Sequence, residues 1–146
     1  MKKRIFQTVS WTLTAACMAV IFYLSSQNGD QSRELSDGVR FWLGSPFSIW
    51  IIRKAAQFLE FTGLAVLLFT ALYSSFGYYR PVLTFILTAA YAASDEFHQL
   101  FVEGRACRLF DLFVDCCGAA LGIAALWIII SLFTRFKQRK SKKEEL

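Results

Sequence analysis

At 146 residues, 55% of them hydrophobic and 16% aromatic, with a mean hydropathy of +0.42, the chain is too apolar for a water-soluble domain with an ordinary polar surface. A formal net charge of +5 invites a nucleic-acid reading, but the cations gather beside apolar runs with no base-reading aromatic or polar residues among them, which excludes that class. The composition points to one all-α integral membrane bundle of four transmembrane helices, each near the roughly 20 residues that a hydrocarbon core requires.

The first predicted span covers about residues 5–24 and follows Lys2, Lys3 and Arg4. A basic start before an apolar run also fits a signal peptide, and Thr14, Ala15, Ala16 and Cys17 come near a lipoprotein cleavage pattern. The run continues through Met18, Ala19, Val20 and Ile21, and no small-x-small site follows it, so the expectation is an uncleaved helix.

In the loop of residues 25–54, Leu35, Val39, Trp42 and Leu43 recur at helical spacing, while Arg33, Glu34, Asp37 and Arg40 fall elsewhere. That pattern predicts a short amphipathic helix on the membrane surface, with Asp30 as its N-cap. Trp42, Phe47 and Trp50 suit an interfacial aromatic belt. A roof over the bundle and a ligand-gripping role are equally compatible with it.

The second span is expected over about residues 55–76, and the short link Gly77, Tyr78, Tyr79, Arg80 joins it to the third, over about 81–97. Pro81 suits the first turn of that helix. A second outer loop, residues 98–111, leads into the fourth span over about 112–134. Beyond it lies a tail, 135–146, with Arg135, Lys137, Arg139, Lys140, Lys142 and Lys143, expected to be solvated and frayed beside anionic lipid. With an even number of spans both termini share one side, and the excess of Lys and Arg assigns it to the cytoplasm.

Cys17, Cys116 and Cys117 fall inside spans and Cys107 in a loop, so no disulfide framework is expected, and the cysteines are assigned to small apolar packing. Cys116 and Cys117 point about 100° apart on a helix, which speaks against a metal site built on them.

The charged residues are distributed one-sidedly. Glu60 opens span two, Asp95, Glu96 and His98 close span three, and Asp111 and Asp115 open span four, while Arg53, Lys54, Arg105 and Arg108 flank them. No ionisable side chain stands in the cytoplasmic half of any span, so a through-membrane proton or ion path lacks its polar steps. Asp95 shares a helical face with His98, Gln99 and Tyr91, and Asp111 shares one with Asp115, Gly118 and Gly122. The last two form a G-x-x-x-G that, with Ala119 and Ala125, suits close packing of span four against a neighbour.

Three uses of the carboxylates are open. They can pair with Arg53, Arg105, Arg108 and His98 purely to hold the bundle together. The cations can instead bind an anionic headgroup or a carboxylate of a lipid-linked ligand, with Arg105 as a bidentate donor and the acids orienting it. Or the cluster is catalytic, with His98, Glu96 or Asp95 as acid and base. A metal held by His98, Asp95 and Asp111 is disfavoured by the single histidine and the absence of an H-E-x-x-H pattern, and no cofactor is expected.

The stretch Ser94-Asp95-Glu96-Phe97-His98-Gln99, followed by Gly104-Arg105, Asp111, Asp115, Gly118 and Gly122, resembles the VanZ-like family of small bacterial membrane proteins. Tyr23-Leu24-Ser25-Ser26-Gln27, and Arg53-Lys54 followed by Phe58 and Glu60, fit the same likeness, which extends over roughly residues 5–134. The family usually carries a histidine where Gln57 stands here, so a mechanism requiring two histidines loses support. The resemblance implies resistance to glycopeptide antibiotics of the teicoplanin type, with a housekeeping role at the cell envelope equally open.

The resulting expectation is a multi-pass protein of the bacterial cytoplasmic membrane with an outward-facing polar pocket. Its ligand-binding residues are Gln27, Arg53, Glu60, Asp95, Glu96, His98, Gln99, Arg105, Asp111 and Asp115. The pocket would bind or shield an outer-leaflet lipid or lipid-linked wall precursor. The alternatives are an integral-membrane enzyme acting on a lipid headgroup, with His98 and Asp95 or Glu96 as acid and base, and, third, a small transporter.

Overall fold

A computed structural model describes the chain apart from Met1, Leu43, Ser45, Glu145 and Leu146, and apart from the side chains of Lys2 and of residues 136–144. Five helices follow in order, α1 (Lys2–Ser25), α2 (Gly29–Trp42), α3 (Ile49–Phe76), α4 (Pro81–Gln99) and α5 (Leu109–Glu144), and no strand occurs among the described residues. Three segments, Lys3–Ser25, Ile49–Phe76 and Leu109–Arg135, are long and apolar enough to cross a membrane. The fourth expected span, α4, is not among them. Its 19 residues reach about 28 Å, but Asp95, Glu96 and His98 occupy its last turns and lower its apolar character.

Several boundaries move outward from their predicted positions. Ser48 N-caps α3, its hydroxyl accepting from the Ile51 amide, so the helix begins ahead of Arg53 and Lys54 and carries both on its early turns. The charged pair Arg53 and Lys54 does not end the helix. At the other end Gly77, at φ +77°, closes α3 in the left-handed conformation, and its amide donates to Tyr73 O. The helical backbone of α5 runs on to Glu144, through what was expected to be a frayed tail. Residues 135–144 contain no Gly or Pro to stop it. The side chains of Lys137, Arg139, Lys140, Lys142 and Lys143 lie outside the described residues.

A helix forms in the first long loop, with a different cap and buried face from those expected. Asn28, not Asp30, starts α2: its side-chain oxygen accepts from the Gln31 amide at 2.9 Å, and the Gln31 side chain accepts in return from the Asn28 amide. The buried residues of α2 are Ser32 and Ser36, and the Ser36 hydroxyl is satisfied by Ser32 O. Of the predicted apolar stripe, Leu35 and Val39 border a cavity, Trp42 is exposed, and Leu43 lies outside the described residues.

The central helix is α3, which touches all four others. Ile21, Phe61, Leu64 and Ala92 form one apolar cluster with Tyr91 and Leu112 against it; Ala65, Phe69, Ala119 and Ile123 form a second. The G-x-x-x-G stripe is used inside the molecule. A Cβ on Gly118 would lie 2.3 Å from Phe58 O, and one on Gly122 2.6 Å from Thr62 O, so α5 meets α3 nearly backbone to backbone. The Thr62 hydroxyl donates across that contact to Gly118 O. Outward, the bundle shows Ile5, Phe22, Val82, Ile128 and Phe133, whereas Thr14, Thr84, Thr88, Glu96 and Asp115 are buried. An apolar exterior over polar interior positions is what a lipid environment requires, since lipid offers exposed polar groups no partner.

Candidate functional site

The polar residues assemble where the end of α1, the start of α2, the start of α3, the end of α4 and the start of α5 meet. Two glycines set the approach. The Gly29 amide donates to Glu103 O at 3.1 Å, Gly104 has φ +72°, and a Cβ on Gly29 would stand 2.8 Å from Gly104 O. This contact docks the α4–α5 loop onto the head of α2. It aims Arg105 at the end of α1, where Nε donates to Gln27 O at 3.1 Å and Nη2 to Leu24 O at 3.3 Å. Arg105 therefore caps α1, and its side-on fork is not open to a ligand as expected. Burial first, and then the neighbouring Arg53 charge, draw its pKa below the ordinary arginine value, against the opposing pull of Asp95, Glu96 and Asp111. A guanidinium remains charged under such shifts.

Two cavities adjoin there. The wide one, about 950 Å³, is bordered by Arg33, Arg53, Lys54, Arg105 and Arg108 together with Asp30, Asp37, Glu103 and Asp111. The narrow one, about 140 Å³, is bordered by Ser25, Gln27, Gln57, Glu60, Asp95 and Gln99, with Ile21, Leu24 and Phe61 as apolar walls. Arg53, Gln99 and Arg105 border both, which makes the narrow space the floor of the wide one.

The last turns of α4 send their polar side chains in three directions. Asp95 and Gln99 face the narrow cavity, with Gln99 Nε2 donating to Asp95 Oδ2 at 3.2 Å. Glu96, 100° round the helix, turns to α5 and accepts from the Arg108 amide at 3.0 Å. There it stands 2% exposed beside Asp115, at 1%, and neither carboxylate borders a cavity. His98 turns to α1: Nε2 is 3.2 Å from the Ser26 hydroxyl and its ring lies 4.6 Å from that of Phe22. The histidine expected at the centre of the site therefore joins neither cavity. Ser94 is exposed and donates to Tyr91 O, while the Tyr91 hydroxyl ties α4 to α1 through Met18 O.

Of the expected pocket residues, Gln27, Arg53, Glu60, Asp95, Gln99 and Arg105 border the narrow cavity, and Asp111 borders the wide one. Lys54 was not among them, yet it holds the acidic seam together. Its Nζ lies 2.6 Å from Asp111 Oδ2 and donates at 2.6 Å to Gln57 Oε1. Gln57, where a histidine was expected, thus serves as a neutral acceptor for the lysine. Arg53, Gln57 and Glu60 form one i, i+4, i+7 stripe on α3, and Ser32 with Ser36 forms another on α2. The first was obscured because the span was read as starting at Ala55, which left Arg53 off the helix. Among the described residues no group of three or more His, Cys, Asp or Glu side chains is placed to hold a metal ion.

Against this geometry stands one comparison with known proteins that gave a match. The family model described as VanZ/LLP1 matches residues 10–132. No curated protein and no solved structure matched. The match spans most of the chain, which therefore belongs to the VanZ/LLP1 family and is a membrane protein.

Proposed function

We propose, from that family membership, that the chain is a cell-envelope protein whose wide cavity binds the anionic headgroup of a membrane lipid or lipid-linked wall precursor. In this reading α4 is the fourth span, both termini are cytoplasmic, α2 lies at the outer interface and the cavity opens to the outer leaflet. Occupying or shielding the headgroup would lower access of teicoplanin-type antibiotics to the cell surface.

The supporting observation is a set of guanidinium groups that make no ion pair among the described residues, although Asp111 acts on Arg53 and Asp30, Asp37 and Glu103 border the same cavity. Arg33, Arg53 and Arg108 border one cavity, and Arg53 feels the like charges of both others. The ion pairs among the described residues, Arg40 with Asp37 and Lys54 with Asp111, include none of the three. Guanidinium groups gathered without a close partner favour an anion between them, and a planar guanidinium matches a phosphate or carboxylate geometrically. The acid–base alternative gains no such support, because His98 is turned to Ser26 and Phe22.

The direct test is binding of short-chain phosphatidate to the full chain in detergent. Arg53→Ala is expected to weaken it about tenfold while leaving the melting temperature close to that of the parent. Equal affinity of the two proteins would reject the site. A second test expresses the protein in a teicoplanin-sensitive host, where Arg53→Ala should reduce any gain in tolerance and His98→Gln should retain it. The reverse pattern would favour the enzyme.

A further inference from the structure

The narrow cavity brings two carboxylates, Glu60 and Asp95, together with Arg53 and Arg105. Asp95 is 6% exposed, and its Oδ1 meets no donor in hydrogen-bond geometry among the described residues; the Ser25 hydroxyl stands close enough to act on the Asp95 carboxyl but makes no geometrically formed hydrogen bond. Glu60 borders the same space and takes no hydrogen bond or ion pair among the described residues. The one cation shared by both acids is Arg105, whose Nε and Nη2 are already given to the carbonyls closing α1. Arg53 borders the same space without an ion pair to either acid, so Asp95 Oδ1 and the Glu60 carboxylate are left short of donors. Ile21, Leu24 and Phe61 keep its surroundings apolar, where an unmatched carboxylate is costly and a matched one is held strongly.

We propose that the ligand carries a primary amine next to its phosphate, a phosphoethanolamine-type zwitterion, with the ammonium seated in the narrow cavity against Asp95, Glu60 and Ser25. The phosphate then meets Arg53, which borders both cavities, with Arg33 and Arg108 above. This assignment rests on the anion-site reading and adds the second half of the headgroup to it. An ammonium has three donors and no acceptor, and the floor offers it Asp95 Oδ1, the Glu60 carboxylate and the Ser25 hydroxyl. A space of about 140 Å³ admits a two-carbon amine. Gln57 is not part of this grip, since its oxygen is taken by Lys54.

The experiment compares dihexanoyl lipids differing only in headgroup, namely phosphatidylethanolamine, its N-acetylated form, phosphatidylglycerol and phosphatidate, against the full chain in detergent. Phosphatidylethanolamine is expected to bind about tenfold more tightly than the N-acetylated and glycerol forms. Glu60→Gln should erase that preference while phosphatidate affinity is kept, which also reports that the variant is folded. Ser25→Ala, a milder change, should reduce the preference about threefold. Competition by O-phosphoethanolamine, without acyl chains, would support the same grip on a soluble or polymer-borne headgroup; competition only by the lipid would support a membrane source. Equal affinity for all four lipids, still dependent on Arg53, would overturn the amine assignment and leave the anion site standing. Absence of binding by every lipid would overturn both.

Discussion

The two ends of α3 treat arginine in opposite ways. Beyond its C-terminal end, Arg80 lies over the rings of Phe76 and Tyr78, at 4.0 and 4.5 Å, and donates to the Tyr78 hydroxyl. Tyr79 stacks on Tyr73 and Phe69 beside it, so that end of the bundle is an aromatic collar around a cation held on ring faces, with its Nε left without a hydrogen bond among the described residues. Near the N-terminal end, Arg53 faces other guanidinium groups across an open cavity. A cation held on aromatic faces is an anchor. Arg53, with like charges and Asp111 near it and no ion pair of its own, is the group for which an outside complement is proposed.

If the contrast is sound, substitutions should separate fold from binding. The largest effect is expected at Lys54→Met, which leaves the buried Asp111 carboxylate unpaired and should cost about 3–5 kcal/mol, read as a fall in thermal unfolding midpoint in detergent. Parent-like stability would mean that the seam is neutralised without the lysine. Gly118→Ala comes next: a Cβ 2.3 Å from Phe58 O cannot be absorbed by a side-chain shift, and a loss of about 3 kcal/mol is expected by the same measurement. An unchanged midpoint would show that α3 and α5 part easily.

Arg80→Gln should cost only about 1 kcal/mol and leave phosphatidate binding intact. A binding loss there would erase the distinction between the two ends. The smallest effect is predicted for His98→Gln, within about 0.5 kcal/mol of the parent and with unchanged lipid affinity. A large loss of either would return the histidine to the site.

Much of the fold was legible beforehand because its signals are local. Apolar runs marked α1, α3 and α5, Pro81 marked the start of α4, and Gly118 with Gly122 marked a face made for close contact. Glu60, Asp95 and Asp111 could be assigned to one end of the bundle from their places in the runs. Less legible were the ends of elements, where Ser48 and Asn28 act as caps through hydrogen bonds that composition alone does not distinguish from solvated side chains. The reading of Asp30 as a cap missed the reciprocal Asn28 and Gln31 pair for that reason.

The sequence by itself determined which segments contain the long helices, which end is charged and which stripe is small, since 3.6-residue periodicity and hydropathy act over a few turns of one chain segment. Only the tertiary structure decided how each helix is rotated against its neighbours. That rotation turns Asp95 to the cavity, Glu96 to α5 and His98 to α1 within four consecutive residues. It also gives Lys54 to Asp111 and engages Arg105 with carbonyls 78 and 81 residues away. Partners so distant in the chain are selected by packing and desolvation across helices, and no local pattern encodes them.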